Sequence, residues 1–265
     1  MFPRQLLALT LTAVAAATVP AIELPGVAPG PAKATLDGPR LTMENAVLQA
    51  RWDLSPGSGR LVEVIDRVAD ALLVCDSHLF RVKLADGSEL DSATLCPASQ
   101  ATLERITPQP TATRLAERSA GWRATVELAT ADGQTRFRWQ AVLRDGSNYV
   151  RQEVALLAHA GPRPVEFGLF DLPAGDARSC GTVDGSPLVS GNFFLGCEHP
   201  LAKNQVADGR AVCGLPLYDS PAAGMAEASA AVGVTPAGQL RRGFLYYLDR
   251  ERARPYRPFT YYISW

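Results

Sequence analysis

WRATVELATADGQTRFRWQAVLRDGSNYVRQEVAL, residues 122–156, reads as three strands joined by two turns. Trp122, Ala124, Val126 and Leu128 alternate with Arg123, Thr125 and Glu127. Successive side chains of a strand point to opposite faces, so this spacing puts one face on a core and the other in water. Ala131-Asp132-Gly133 turns the chain, because glycine takes positive φ without steric cost. Phe137, Trp139, Ala141 and Leu143 form the second strand, Asp145-Gly146-Ser147-Asn148 the second turn, and Val150, Val154 and Leu156 belong to the third. The product is an antiparallel meander.

The same alternation extends outward. Leu48, Ala50, Trp52 and Leu54 face away from Gln49, Arg51 and Asp53, and Phe80, Val82 and Leu84 repeat the pattern ahead of Asp86-Gly87. Residues 165–172, 187–195, 212–217 and 226–234 are further candidate strands. Many strands, short turns and few helical stretches predict an all-β fold, a large two-sheet antiparallel sandwich over residues 41–234. One helix is expected at 235–254. Thr235 would cap it, Pro236 would occupy its first position, and Leu240, Phe244 and Leu248 would make its apolar stripe, with Gly243 weakening the interior. Arg250 to Arg254 place positive charge at its C-terminal end. The run Phe259-Thr260-Tyr261-Tyr262-Ile263-Ser264-Trp265 is β-prone and reads as a terminal strand, either the opening of a further domain or an edge strand docked on the sandwich.

Residues 1–21 have the layout of a signal peptide: Arg4, an apolar run over 6–17, and small residues at Ala15-Ala16-Ala17 and Val19-Pro20-Ala21. That run is shorter than the roughly 20 residues of a membrane span, and an uncleaved anchor is the alternative. The protein is therefore expected outside the cytoplasm, periplasmic or extracellular, with no membrane association after cleavage. Residues 22–40, rich in Pro, Gly and Ala, read as a flexible lead-in. In an oxidising compartment the five cysteines, Cys75, Cys96, Cys180, Cys197 and Cys213, allow bridges with at least one left over, and free buried thiols fit equally. With 47% hydrophobic and 20% charged residues among 265, the chain is that of a folded protein. Its net charge of −1 excludes the basic excess of a nucleic-acid binder.

Several segments resemble a bacterial glycoside hydrolase group related to α-galactosidases, the melibiase-type, family 36-like proteins. They are residues 46–54 (AVLQARWDL), 183–200 (VDGSPLVSGNFFLGCEHP), 233–244 (GVTPAGQLRRGF) and 256–259 (YRPF), and their order carries the resemblance from about residue 41 onward. The resemblance implies an N-terminal supersandwich of the galactose-mutarotase-like shape, a linking helix, and then a (β/α)8 barrel holding the nucleophile and acid/base for retaining hydrolysis of α-glycosides. Residues 255–265 fall where that barrel would begin, so no barrel carboxylate has a matching position and the chain is expected to be a non-catalytic, truncated portion. The catalytic barrel of full-length relatives is the implied partner.

Residues 191–200 are the best candidate patch. Asn192, Glu198 and His199 place hydrogen-bonding groups beside Phe193 and Phe194, a combination that suits carbohydrate, with Asp184 as a further candidate contact. A core strand with a polar end is the alternative. Asp184 and Glu198 would be the only acid pair of the segment, and glycoside hydrolysis needs two carboxyl groups roughly 5–10 Å apart; a turn at Asp184-Gly185 is the simpler reading. No G-x-S-x-G elbow is present. Cys197 and His199 would share a strand face, with Cys180 and Cys213 as further ligands, but these separations are unlike structural zinc sites. No metal and no cofactor is expected. A free-standing exported carbohydrate-binding or interaction module is the other function class, and a mutarotase-type enzyme would need an acid and a base paired in one cleft.

Overall fold

In a computed structural model of the chain, residues 22–173, 175–217 and 226–253 are described. The signal segment and the aromatic run at 255–265 lie outside the described residues. The first sheet is a meander in chain order: β1 (Lys33–Asp37), β2 (Arg40–Glu44), β3 (Leu48–Asp53), β4 (Arg60–Asp66) and β5 (Ala71–His78). β6 (Arg81–Leu84) and β7 (Glu89–Asp91) start a second sheet. A third takes β8 (Cys96–Pro97), β9 (Thr102–Ile106), β10 (Gly121–Ala129), β11 (Arg136–Arg144) and β12 (Tyr149–Ala158). β13 (Pro164–Pro173) returns to the second sheet, and β14 (Arg178–Ser179), β15 (Leu188–Ser190) and β16 (Phe193–Cys197) extend the third. β17 (Lys203–Ala207) and β18 (Arg210–Pro216) complete the second; β19 (Glu227–Val234) inserts between β16 and β12, and α1 (Leu240–Glu251) follows.

The meander of residues 122–156 is β10, β11 and β12. Trp122 pairs with Leu143, Ala129 with Arg136, and Phe137 with Leu156. Both turn glycines have the positive φ the sequence implied, +70° at Gly133 and +77° at Gly146. The fold is the expected all-β antiparallel sandwich, with one layer divided. The nine-stranded third sheet is one layer. The first and second sheets lie side by side as the other, meeting where the Asp171 amide of β13 donates to Ser77 Oγ of β5 at 3.1 Å. Trp52 of β3 meets Trp139 of β11 edge-on at 6.2 Å, and Phe80, between β5 and β6, meets Phe137 of β11 at 5.0 Å. All four are buried, so one core serves all three sheets.

Three local expectations are corrected. The lead-in does not run to residue 40: residues 33–37 are β1, in register with β2 from Lys33 opposite Glu44 to Asp37 opposite Arg40. Ala34 and Leu36 alternate onto the core, and the Ala32 amide donates to Asp145 Oδ1, so the segment is tied down on both sides. Residues 187–195 are two strands, β15 and β16, because Gly191 turns the chain with φ +53°.

The helix starts at Leu240, and Thr235 does not cap it. Thr235 is still extended chain, and its amide and Oγ1 both donate to the Asn192 carbonyl. The buried stripe is also displaced. Leu240 and Phe244 pack as expected, but Leu248 is 41% exposed and Tyr247 is 7% exposed. At 3.6 residues per turn, position 247 stays over 240 and 244 while 248 rotates toward solvent. Gly243 lets this face approach closely: a β-carbon there would lie 2.6 Å from Thr235 Cγ2.

Candidate functional site

α1 covers one end of the outer face of the nine-stranded sheet. Tyr149, Phe194, Phe244 and Tyr247 form an aromatic cluster there, with ring centroids 4.8 Å apart for Tyr149 and Tyr247 and 5.3 Å for Phe194 and Phe244. Gly233 of β19 makes room for it, since a β-carbon would stand 2.4 Å from Phe194 Cζ. Edge-to-face contacts of this kind add to the burial of the rings.

Beside the aromatic cluster lies a nearly buried ionic network. On β12, Val150 and Val154 point into the core, so Tyr149, Arg151 and Glu153 point outward. Glu198 follows β16, and Glu251 ends α1. Arg151 Nε donates to Glu198 Oε2 at 2.7 Å, and its Nη1 lies 3.0 Å from Glu153 Oε1 and 3.6 Å from Glu251 Oε2. Tyr247 OH donates to Glu198 Oε1 at 2.7 Å, and Tyr149 OH donates to Glu251 Oε1. The side chains of Arg151, Glu198 and Glu251 are 14%, 11% and 12% exposed. Burial opposes the charge on Arg151, but Glu198, Glu251 and Glu153 overcome it and raise its pKa above the usual arginine value. Burial raises the pKa of Glu251, Arg151 pulls it back, and Glu198 pushes it up again. Burial, with the facing carboxylates, also lifts both phenols. Glu198 and Glu251 thus each have a cation and a tyrosine donor, which a buried charge requires.

A cleft of about 560 Å³ opens over this network, walled by Phe194, Tyr247 and Leu248. A second basin of about 220 Å³ lies against it, over Arg138, Gln140, Glu153, Glu227 and Ser229. Arg114, Arg151, Glu198, His199 and Ser229 line both. A cleft of this size is in the range that accepts small molecules, roughly 300–1,000 Å³.

The structure brings together two of the four candidate residues, Glu198 and His199. His199 is exposed, and its Nδ1 accepts from the Leu201 amide at 3.1 Å. Asn192 is elsewhere: its Nδ2 donates to Asp66 Oδ2 at 3.1 Å, fastening the β15–β16 turn to the first sheet. Asp184 is exposed and outside the cleft lining, and its carbonyl accepts the Asn204 amide. The acid pair considered from sequence, Asp184 with Glu198, is therefore replaced by Glu198 with Glu251. Arg151, Tyr149, Tyr247 and Glu251 were missed. The signal for two of them was present in Tyr149-x-Arg151-x-Glu153, three hydrogen-bonding side chains on one face of a strand whose opposite face carries Val150 and Val154.

All five cysteines are free thiols. Cys75 faces the core while Cys96 is exposed on β8, so these two do not meet as a bridge. Cys197 and Cys213 are buried whereas Cys180 and His199 are exposed, and among the described residues no three metal-ligating side chains gather.

No family model matches the chain, and no curated protein matches it in sequence. Its fold is similar to that of the GH36 α-galactosidase AgaB from Geobacillus stearothermophilus, with a TM-score of 0.51 at 10% identity over 78% of this chain and 41% of that one. A variant of the GH36 α-galactosidase AgaA from the same organism aligns with a TM-score of 0.50 at 11% identity, over 80% of this chain and 42% of the enzyme. The all-β sandwich expected from the resemblance to α-galactosidase-like hydrolases is thus found as a fold within such enzymes. The chain spans about two fifths of the length of the α-galactosidases it matches.

Proposed function

We propose that this chain is a non-catalytic accessory sandwich of an exported glycoside hydrolase acting on α-glycosides, working beside a catalytic barrel domain. The observation that carries the reading is the state of the acid pair in the cleft. A retaining glycosidase needs one carboxyl free to attack and another protonated to serve the leaving group. Glu198 and Glu251 instead share Arg151 and hold a tyrosine hydroxyl each. They fasten α1 to the sheet. The fold likeness to parts of α-galactosidases supports the glycosidase setting. Arg4, the apolar run at 6–17 and the small residues after it support export. Among the described residues, no helix is long and apolar enough to cross a membrane.

The test is an assay of the purified chain against a panel of aryl α-glycosides. Release of the aryl alcohol at the buffer rate is expected. Turnover that disappears in Glu251→Gln would overturn the accessory reading. Export is tested separately by mass spectrometry of the protein from a fractionated bacterial host, where a mature N-terminus after Ala17 or Ala21 is expected and full-length protein confined to the cytoplasm would refute it. The open cleft favours a second reading, a free-standing carbohydrate-binding module.

A further inference from the structure

We infer that the groove on the outer face of the nine-stranded sheet, with its floor on β11, β12 and β19, is a binding site for a neutral oligosaccharide. This deepens the carbohydrate setting proposed above and centres the contact surface on β11, β12 and β19, with the 191–200 segment supplying one side of it through Phe194, Gly196, Glu198 and His199.

The floor is built by register. Thr125, Gln140, Glu153 and Ser229 stand opposite one another on four neighbouring strands, and in the next outward row Arg138, Ala155 and Glu227 do the same. With strands about 4.8 Å apart, the longer row spans about 14 Å, the reach of a short oligosaccharide. Ala155, Ser229, Ala231 and Gly196 are small, so the middle of the face is recessed between taller side chains.

The chemistry selects the ligand class. The row presents a hydroxyl, an amide, a carboxylate and a hydroxyl in succession, with guanidinium groups beside them. Each sugar hydroxyl donates one hydrogen bond and accepts others, so it matches a surface that mixes both roles. Arg138 and Glu227 have no hydrogen-bond or ion-pair partner among the described residues, yet both line the basin. Arg114, Arg138 and Arg151 are interleaved with Glu153, Glu198, Glu227 and Glu251, and Arg151 lies 3.0 Å from Glu153 and Arg114 3.9 Å from Glu251, so the groove lacks the single-sign field that would draw a polyanion or a polycation. Leu248, 41% exposed at the mouth of the larger cleft, offers an apolar surface for the C–H face of a sugar ring.

The experiment is calorimetric titration of the purified chain with the neutral trisaccharides raffinose, maltotriose and cellotriose, and with trigalacturonate as the anionic control. Saturable binding of a neutral probe is expected, constant between about 0.05 and 0.5 M salt, because screening acts only between charges. Ser229→Trp fills the floor and should abolish it. The double variant Arg138→Gln with Glu227→Gln removes two groups that have no partner among the described residues and should weaken it by at least about tenfold with an unchanged melting midpoint. Failure of all three neutral probes, binding of trigalacturonate alone, or full affinity in the double variant would each overturn the site. Hydrolysis is read in a separate assay: absent binding leaves the accessory reading intact, and turnover of an aryl glycoside refutes that reading without touching the groove.

Discussion

Arg151 is the residue on which the end of the sandwich under α1 depends. It is nearly buried, and the carboxylates it serves arrive from 47 and 100 residues further along the chain. Arg151→Met keeps the bulk and removes the charge, leaving Glu198 without a cation and Glu251 with only the more exposed Arg114, 3.9 Å away. A loss of about 3–5 kcal/mol is expected in urea denaturation at neutral pH. The loss should shrink as the pH is lowered, because burial raises the pKa of Glu251 and its protonation removes one of the charges left unpaired. Glu251 supplies the complementary test. Burial, followed by the opposing pulls of Arg151 and Glu198, leaves its pKa above the ordinary 4.5. A group whose pKa is higher in the folded state gives stability that is full below the unfolded value and lost as pH rises through the folded value. Glu251→Gln cannot ionise, so it should gain on the wild type as pH increases from 4.5 toward neutrality, measured as the difference between the two denaturation curves. A constant difference across that range would mean that Glu251 is equally acidic folded and unfolded.

At the scale of elements, α1 is seated by glycine. Alanine is a better helix former than glycine by about 1 kcal/mol, and a solvent-facing glycine replaced by alanine would stabilise the helix. Gly243 faces Thr235, whose Cγ2 and Cβ lie 2.6 and 2.8 Å from where the new β-carbon would be. Gly243→Ala should therefore destabilise the protein by about 1–3 kcal/mol, seen as a lower thermal midpoint; a higher midpoint would show the helix to be free of Thr235. This element also marks the border of what was legible in the sequence. β10 to β12 could be read because a period of two and two Asp-Gly turns point to the same answer. The helix period was visible, but its phase was not, since Leu248 and Tyr247 are both apolar enough to face inward and only contact with Phe194 and Tyr149 chooses between them. β1 was hidden by the prolines and glycines just before it. The network was illegible for a different reason: Tyr149, Glu198 and Glu251 lie far apart in the chain and are joined only by sheet order, with β19 inserted between β12 and β16.

For the whole molecule, the question is whether three sheets make one cooperative unit. The first and second sheets meet where β5 runs beside β13, and each contributes aromatic or aliphatic side chains to the core laid against the third. Phe137 sits at the centre of this arrangement. It is fully buried on β11 and meets Phe80, the residue at which the chain passes from the first sheet to the second. If the core is single, a cavity at Phe137 weakens all three sheets together. Phe137→Ala should cost about 3–5 kcal/mol. Tryptophan fluorescence, to which the chain's four tryptophans contribute, among them Trp52 in the first sheet and Trp122 and Trp139 in the third, should follow the same denaturation curve as far-ultraviolet circular dichroism, in the variant as in the wild type. If instead the fluorescence of the variant is lost while strand dichroism persists to higher urea, part of the layered structure survives without the shared core, and the sandwich is two folding units.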